Sequence, residues 1–165
     1  MPTLPLIAHQ SMSAVVAWRA GVPVSAGEFL REVVSLAAQL PPGRHVLNLC
    51  GDRYRFAVAF LACIYSGRVS LLPSTHTPEM VGQMRRIAPD AFCLHDKPQC
   101  DVDLPLFRYP GSLDVLPSPE SVPQIDVDQI VAQVFTSGST GVPLPHFKRW
   151  GSLVRNVQAE AARLR

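Results

Sequence analysis

The sequence predicts an α/β fold with a mainly parallel sheet and flanking helices, and three observations carry that expectation. Extended apolar runs alternate with helical periodicity along the chain. Residues 45–72 read as strand, helix, strand, a unit whose size implies a parallel pair joined by a right-handed crossover. Near the end, Ile130, Val131, Ala132, Val134 and Phe135 form an apolar run into a loop of hydroxyls and glycines. After that loop Trp150, Leu153, Val154, Val157, Ala161 and Leu164 recur at helical spacing.

Taken in order, Ala14–Arg19 and Val22–Val24 flank Ala20-Gly21 as an edge hairpin. Ser25 and Glu28 have the spacing of a capping box, so a helix starts there, with Phe29, Val33, Leu36, Ala37 and Leu40 on its buried face. Pro41-Pro42-Gly43 ends it. His45–Cys50 reads as a buried strand, followed by an apolar helix from Arg53 to Ser66 that Gly67 terminates. Phe56, Phe60 and Ile64 line one face of that helix and Ala57, Leu61 and Cys63 widen it, which predicts cover on most sides. Val69–Leu72 is the next strand. Thr77-Pro78-Glu79 supplies an N-cap, a first-position proline and a first-turn acid for a helix whose stripe is Met80, Met84 and Ile87. Ala91–Leu94 and Leu106–Tyr109 read as further strands. The Pro- and Ser-rich stretch 110–124 is a long surface connection between layers. These elements describe a single α/β domain or fragment over residues 1–165.

Composition narrows the functional classes. With 47% hydrophobic and 17% charged residues the chain has enough apolar surface for a folded core. A net charge of +2, from 15 basic and 13 acidic residues, offers no basic footprint, so no nucleic-acid partner is expected. Cys50, Cys63, Cys93 and Cys100 contain no C-x-x-C pair and read as reduced, structural thiols. The five histidines include no H-x-x-x-H, and no metal site built from protein ligands is expected. The first ten residues lack a cationic start and apolar run, and no apolar stretch reaches about 18 residues. A cytoplasmic location without a membrane span is the expectation.

The stretch with chemistry in it is 136–143: Thr136, Ser137, Gly138, Ser139, Thr140, Gly141, Val142 and Pro143. Glycine lets backbone N–H groups approach an anion, and serine and threonine add hydroxyl donors, so this composition suits a loop that holds phosphate. A flexible Ser/Gly linker has similar composition. The apolar run before the loop and the helical stripe after it favour the phosphate site, since strand, glycine loop and helix form a recurring anion-binding arrangement. The loop lacks the lysine of a Walker A sequence, because Val142 follows Gly141.

Thr136-Ser137-Gly138-Ser139-Thr140-Gly141 with Pro143 closely resembles the nucleotide loop of the adenylate-forming (AMP-binding) superfamily, which includes acyl-CoA synthetases, non-ribosomal peptide adenylation domains and luciferases. Asn48–Asp52, the apolar helix and Gly67-Arg68-Val69 are similar to that family's early segment. The resemblance implies the N-terminal part of the large domain, ATP and Mg²⁺ as cofactors, and attack of a carboxylic acid on the α-phosphorus to give an acyl-adenylate and pyrophosphate. It further implies coenzyme A or an acyl carrier protein thiol as acceptor, with fatty acid metabolism as one setting. Thr136, Ser137, Gly138, Ser139, Thr140 and Gly141 would hold the phosphates.

Two departures qualify the resemblance. Where the family has Pro-Lys-Gly, this chain has Pro143-Leu144-Pro145, leaving Lys148 or Arg149 as a displaced cation near the start of the last helix. Lys148 is the candidate carried forward, against an ordinary surface role. Family members are several times longer, and their adenine-binding, ribose-binding and C-terminal catalytic segments have no counterpart in these 165 residues. The alternative expectation is therefore a degenerate adenylation-domain fragment kept, if at all, for interaction.

Overall fold

The computed structural model describes residues 1–136 and 144–163. The elements are β1 (Thr3–Pro5), β2 (Val15–Arg19), β3 (Val22–Ser25), α1 (Ala26–Gln39), β4 (His45–Asn48), α2 (Arg53–Tyr65) and β5 (Val69–Leu72). They continue with α3 (Pro78–Ile87), β6 (Phe92–His95), β7 (Leu106–Arg108), β8 (Gln124–Asp126), β9 (Ile130–Thr136), β10 (Leu144–Arg149) and α4 (Trp150–Arg163). Six strands form the central sheet in the order β10-β9-β5-β4-β6-β7. Every neighbouring pair is parallel except β10 on β9. The expected α/β fold with a mainly parallel sheet is therefore the observed one.

Local chemistry sets the helix starts. Ser25 and Glu28 close the capping box in both directions, with the Glu28 amide donating to Ser25 Oγ at 3.2 Å and the Ser25 amide to Glu28 Oε2 at 2.8 Å. Asp52 caps α2 through the Arg55 amide, and Thr77 caps α3 with Pro78 in its first turn. Gly43 at φ +126° is forced by space: a Cβ there would lie 2.5 Å from the Asp90 carbonyl oxygen. The Arg44 amide beside it donates to Asp90 Oδ2 at 2.6 Å, which joins the start of β4 to the turn before β6.

The two faces of the sheet carry separate cores. α1 and α2 cover one face, where Leu30, Val33 and Leu36 pack with Val46, Val58, Ala62 and Val131. α3 covers the other through Val81 and Met84 against Leu47, Leu71, Cys93 and Phe135. On α1 the expected stripe is buried. On α2 it is displaced: Val58, Ala59, Ala62, Cys63 and Ile64 are buried, whereas Phe56 is exposed and stacks on Phe60 at 6.4 Å. Since α1 and the sheet claim one side only, the helix is not covered all round. On α3 the buried residues are Val81 and Met84; of the expected stripe Met80 is half-buried and Ile87 is exposed.

Three elements escape sequence patterning. β1 pairs antiparallel with β8, with Leu4 opposite Ile125, and both strands have only three residues. β10 occupies the stretch read as the approach to the last helix. The connection expected over 110–124 starts one residue earlier, since β7 stops at Arg108, and ends at Pro123, since Gln124 opens β8; it straps α1, where the Leu116 amide donates to Ser35 Oγ at 2.9 Å and Ser118 Oγ to the Gly27 carbonyl at 3.1 Å. Among the described residues no helix is long and apolar enough to cross a membrane.

Candidate functional site

Parallel strands deliver their carboxyl ends to one edge of the sheet, and the connectivity here opens a crevice on that edge. The loop after β4 leads to α2 on one face, while the loop after β5 leads to α3 on the other. Adjacent strands whose connections diverge in this way leave room for a ligand between them. The space measures about 580 Å³ and is lined by Asn48, Cys50, Gly51, Leu72, Pro73 and His76, with Lys97 and Cys100 from the loop after β6.

Internal bonds shape its walls. Asn48 Nδ2 donates to the Phe56 carbonyl at 3.0 Å and its Oδ1 accepts from the Cys50 amide at 3.2 Å. Asp96 accepts from the amides of Gly51 and Asp52 at 2.8 and 3.0 Å, fixing the turn into α2. Burial, its largest single influence, would raise the Asp96 pKa, but these two N–H groups, with its own amide and the Arg55 charge, together hold the carboxyl below the ordinary aspartate value. The Cys50 thiol is pushed up to about 12, first by burial and then by the Asp96 charge, so it lines the crevice as a neutral group and not as a nucleophile.

β9 ends at this edge with Thr136. Leu72 is in register with Val134, so Thr136 stands two residues further along, beyond Pro73 and beside the crevice. Ser137, Gly138, Ser139, Thr140 and Gly141 lie outside the described residues; Thr136 and Lys148 lie within them. Thr136 is exposed and its Oγ1 lies 3.1 Å from His146 Nε2. The two are diagonal neighbours on one face of the hairpin, since His146 is paired with Val134. A lone loop histidine carries no signal by itself. Its neighbourhood with Thr136 follows from hairpin register.

The expected progression from strand through glycine loop directly to helix is corrected here. Residues 144–149 fold back as β10, antiparallel to β9, and α4 begins only at Trp150. The physical reason is that Leu144, Pro145, His146 and Phe147 alternate poorly, yet β9 would otherwise be an open edge whose amides β10 satisfies. Lys148 consequently stands on a strand and not at a helix start, paired with Ala132 and half-buried. Four residues of strand separate it from Leu144, roughly 13 Å at ~3.3 Å per residue. Among the described residues no group of three or more His, Cys, Asp or Glu side chains lies together as a metal cluster.

No protein-family model matches the chain, and no curated protein sequence matches it. Solved structures do. The N-terminal subdomain of Klebsiella oxytoca NpsA, in complex with 3-hydroxybenzoyl-AMSN, aligns at 18% identity and TM-score 0.59 over 83% of this chain and 37% of that one. Bacillus subtilis MenE, an o-succinylbenzoate coenzyme A synthetase in complex with ATP and magnesium ion, aligns at 16% identity and TM-score 0.68 over 92% of this chain and 44% of that one. The adenylation domain of a keto acid-selecting NRPS module, bound to keto acyl adenylate, aligns at 17% identity and TM-score 0.64 over 86% and 30% respectively. This chain thus spans less than half the length of each structure. Identities this low speak to architecture alone: the chain shares the fold of the NpsA N-terminal subdomain and of the matched parts of MenE and of the NRPS adenylation domain.

Proposed function

We propose that this chain is the N-terminal portion of an ATP-dependent, AMP-forming enzyme that activates a carboxylic acid, and that residues 136–141 hold the ATP phosphates. The supporting observation is positional: β9 carries Thr136 to the carboxyl edge of the sheet, beside the crevice where the β4 and β5 connections diverge. N–H and hydroxyl donors of the loop would hold negative charge on the departing pyrophosphate, the interaction that matters when the α-phosphorus is attacked. The carboxylate oxygen forms the new bond to phosphorus, the bond to the bridging oxygen of pyrophosphate breaks, and acyl-adenylate results. A thiol, of coenzyme A or of a carrier protein, would then displace AMP. Mg²⁺ would arrive on the nucleotide.

His146 is added to the candidate set as the group that orients the Thr136 hydroxyl. Lys148 is kept for testing as a cation on the same strand face, while Leu144 marks the place the family gives to lysine. The 165-residue chain alone is expected to bind pyrophosphate weakly and to show no carboxylate-dependent ATP–pyrophosphate exchange, because one loop does not make a concave nucleotide site. Thr140→Ala should weaken pyrophosphate binding about tenfold or more by removing a hydroxyl bond to a charged acceptor. Leu144→Lys should tighten it and Lys148→Ala should change it less. Calorimetric titration of the three variants decides: indifference of pyrophosphate binding to both Thr140→Ala and Leu144→Lys would remove the loop assignment.

A further inference from the structure

A second cavity, of about 410 Å³, lies on the α1 face and shares no lining residue with the crevice. Its charged lining is Arg19 from β2, Arg31 and Glu32 from α1, and Arg55 from α2; Tyr109 and Leu113 from the strap complete the wall. Three guanidinium groups thus face one carboxylate. Glu32 is already engaged, accepting from the Tyr54 hydroxyl at 3.0 Å. Arg19 lies over the Tyr54 ring at 4.5 Å and reaches Asp52 only at 4.0 Å. Arg55 lies over the Tyr109 ring at 5.3 Å. None of the four ion pairs among the described residues involves Arg31 or Arg55. Two of these guanidinium groups are therefore propped on aromatic faces, with planar N–H forks left to donate.

The second observation is independent of the arginines. Tyr109 is 7% exposed, and its hydroxyl is buried without a hydrogen-bond partner. Buried polar groups are nearly always satisfied, so an orphan beside a cavity calls for a partner. Burial first, and the Glu32 charge second, hold the phenol proton on, which leaves a donor in the field of Arg55 and Arg19. Tyr109 also lines an adjoining space of about 370 Å³ with Arg55, Arg108 and Asp96, so this corner of the molecule is open and rich in donors.

We propose that the cavity between α1, α2 and the strap after β7 binds the oxyanion of a small molecule, a phosphate or a carboxylate, through the guanidinium forks of Arg31 and Arg55 and the hydroxyl of Tyr109. Paired N–H donors match two oxygens of such a group, and Leu113 and Val115 would pack on an apolar remainder.

The test titrates the 165-residue chain with inorganic phosphate, with benzoate, and with chloride at matched ionic strength, following amide chemical shifts. Saturable shifts in residues 31–35 and 109–113 are expected with phosphate, benzoate or both, and not with chloride. Response to phosphate alone assigns a phosphate-bearing ligand; response to benzoate alone assigns a carboxylate. Arg31→Gln and Arg55→Gln should each weaken binding about tenfold, and Tyr109→Phe about fivefold. Arg31 is half-exposed on its helix, so Arg31→Gln should keep the fold and decides the matter if Tyr109→Phe does not fold. No saturable response overturns the proposal. So does binding that is indifferent to Arg31→Gln and Arg55→Gln, or a phosphate response abolished by Thr140→Ala alone, which would place the anion at the loop.

Discussion

α1 and α4 are both 14 residues long and both carry an apolar stripe, yet α1 buries eight residues and α4 only Trp150 and Gly151. α1 is held on three sides, by α2, by the hairpin β2–β3 and by the strap that bonds to Ser35 and Gly27. α4 is anchored only at its start, where Trp150 is buried and its Nε1 donates to the Leu4 carbonyl at 3.3 Å. Beyond Val154 every described α4 residue is exposed, Val157 at 65%. Periodicity tells which face of a helix is apolar; whether something covers that face depends on the rest of the fold. The contrast predicts that energetically similar substitutions will have unequal effects on the two helices.

The largest effect is expected at Leu36, fully buried on α1. Leu36→Ala should cost about 2–5 kcal/mol, the range for removing a large aliphatic side chain from a packed core. Urea unfolding followed by far-UV circular dichroism measures it. A cost under about 1 kcal/mol would mean that the α1 face is as loosely held as α4, and the comparison would fail.

Ser25→Ala comes next. It removes the side chain that accepts the Glu28 amide and breaks the capping box, at about 0.5–2 kcal/mol. The Glu28 carboxyl, held below the ordinary glutamate value first by the Ser25 hydroxyl, should then titrate closer to that value, which side-chain carboxyl NMR reads directly.

A smaller, pH-dependent effect belongs to Asp90 and Asp96, which tie β4 and α2 to the turns around β6. For each, burial acts upward as the largest single influence, and donated hydrogen bonds, from the Arg44 amide and His45 to Asp90 and from Gly51 and Asp52 to Asp96, bring the folded pKa below the unfolded value. A lowered carboxyl pKa adds stability that is fully present above the unfolded value near pH ~3.9 and disappears as pH falls through the folded value. The urea midpoint should therefore drop on acidification through that window, and drop less steeply in Asp96→Asn. An equal slope in the variant would show that Asp96 does not act in this way.

Much of this architecture was legible because local chemistry and tertiary structure agree. Ser25 with Glu28, Asp52 before α2, and Thr77-Pro78 each satisfy the first amides of a helix, and each helix starts there. What escaped was decided at long range. β1 and β8 have three residues each and exist because Leu4 and Ile125 meet across the chain. β10 contains Pro145 and an irregular alternation, and only the open edge of β9 makes it a strand. At the candidate site, the composition of 136–141 pointed to phosphate, but the position of Lys148 on β10 and the neighbourhood of His146 and Thr136 follow from hairpin register, which no local motif encodes. The α1-face cavity was equally hidden, since Arg19, Arg31 and Arg55 come from three separate elements and Tyr109 from the strap.

The smallest effect on folding should come from α4, and it separates stability from surface chemistry most cleanly. Val157 is 65% exposed, so Val157→Asp should move the unfolding free energy by no more than about 0.5 kcal/mol, as for other surface positions. The same change on α1, Val33→Asp at a fully buried position, would place an unpaired carboxylate in the core and should prevent folding. Val157 on α4 and Leu144 and Phe147 on β10 are large apolar side chains left in solvent, at 65%, 58% and 59% exposure. The wild-type chain is therefore expected to bind a hydrophobic dye or self-associate, and Val157→Asp with Phe147→Ser should reduce both while leaving the urea midpoint in place. Sedimentation and dye fluorescence on the same samples provide the check. A wild-type chain that is monodisperse and silent to dye would show that this end is covered in solution, and the asymmetry between α1 and α4 would then be one of sequence position alone.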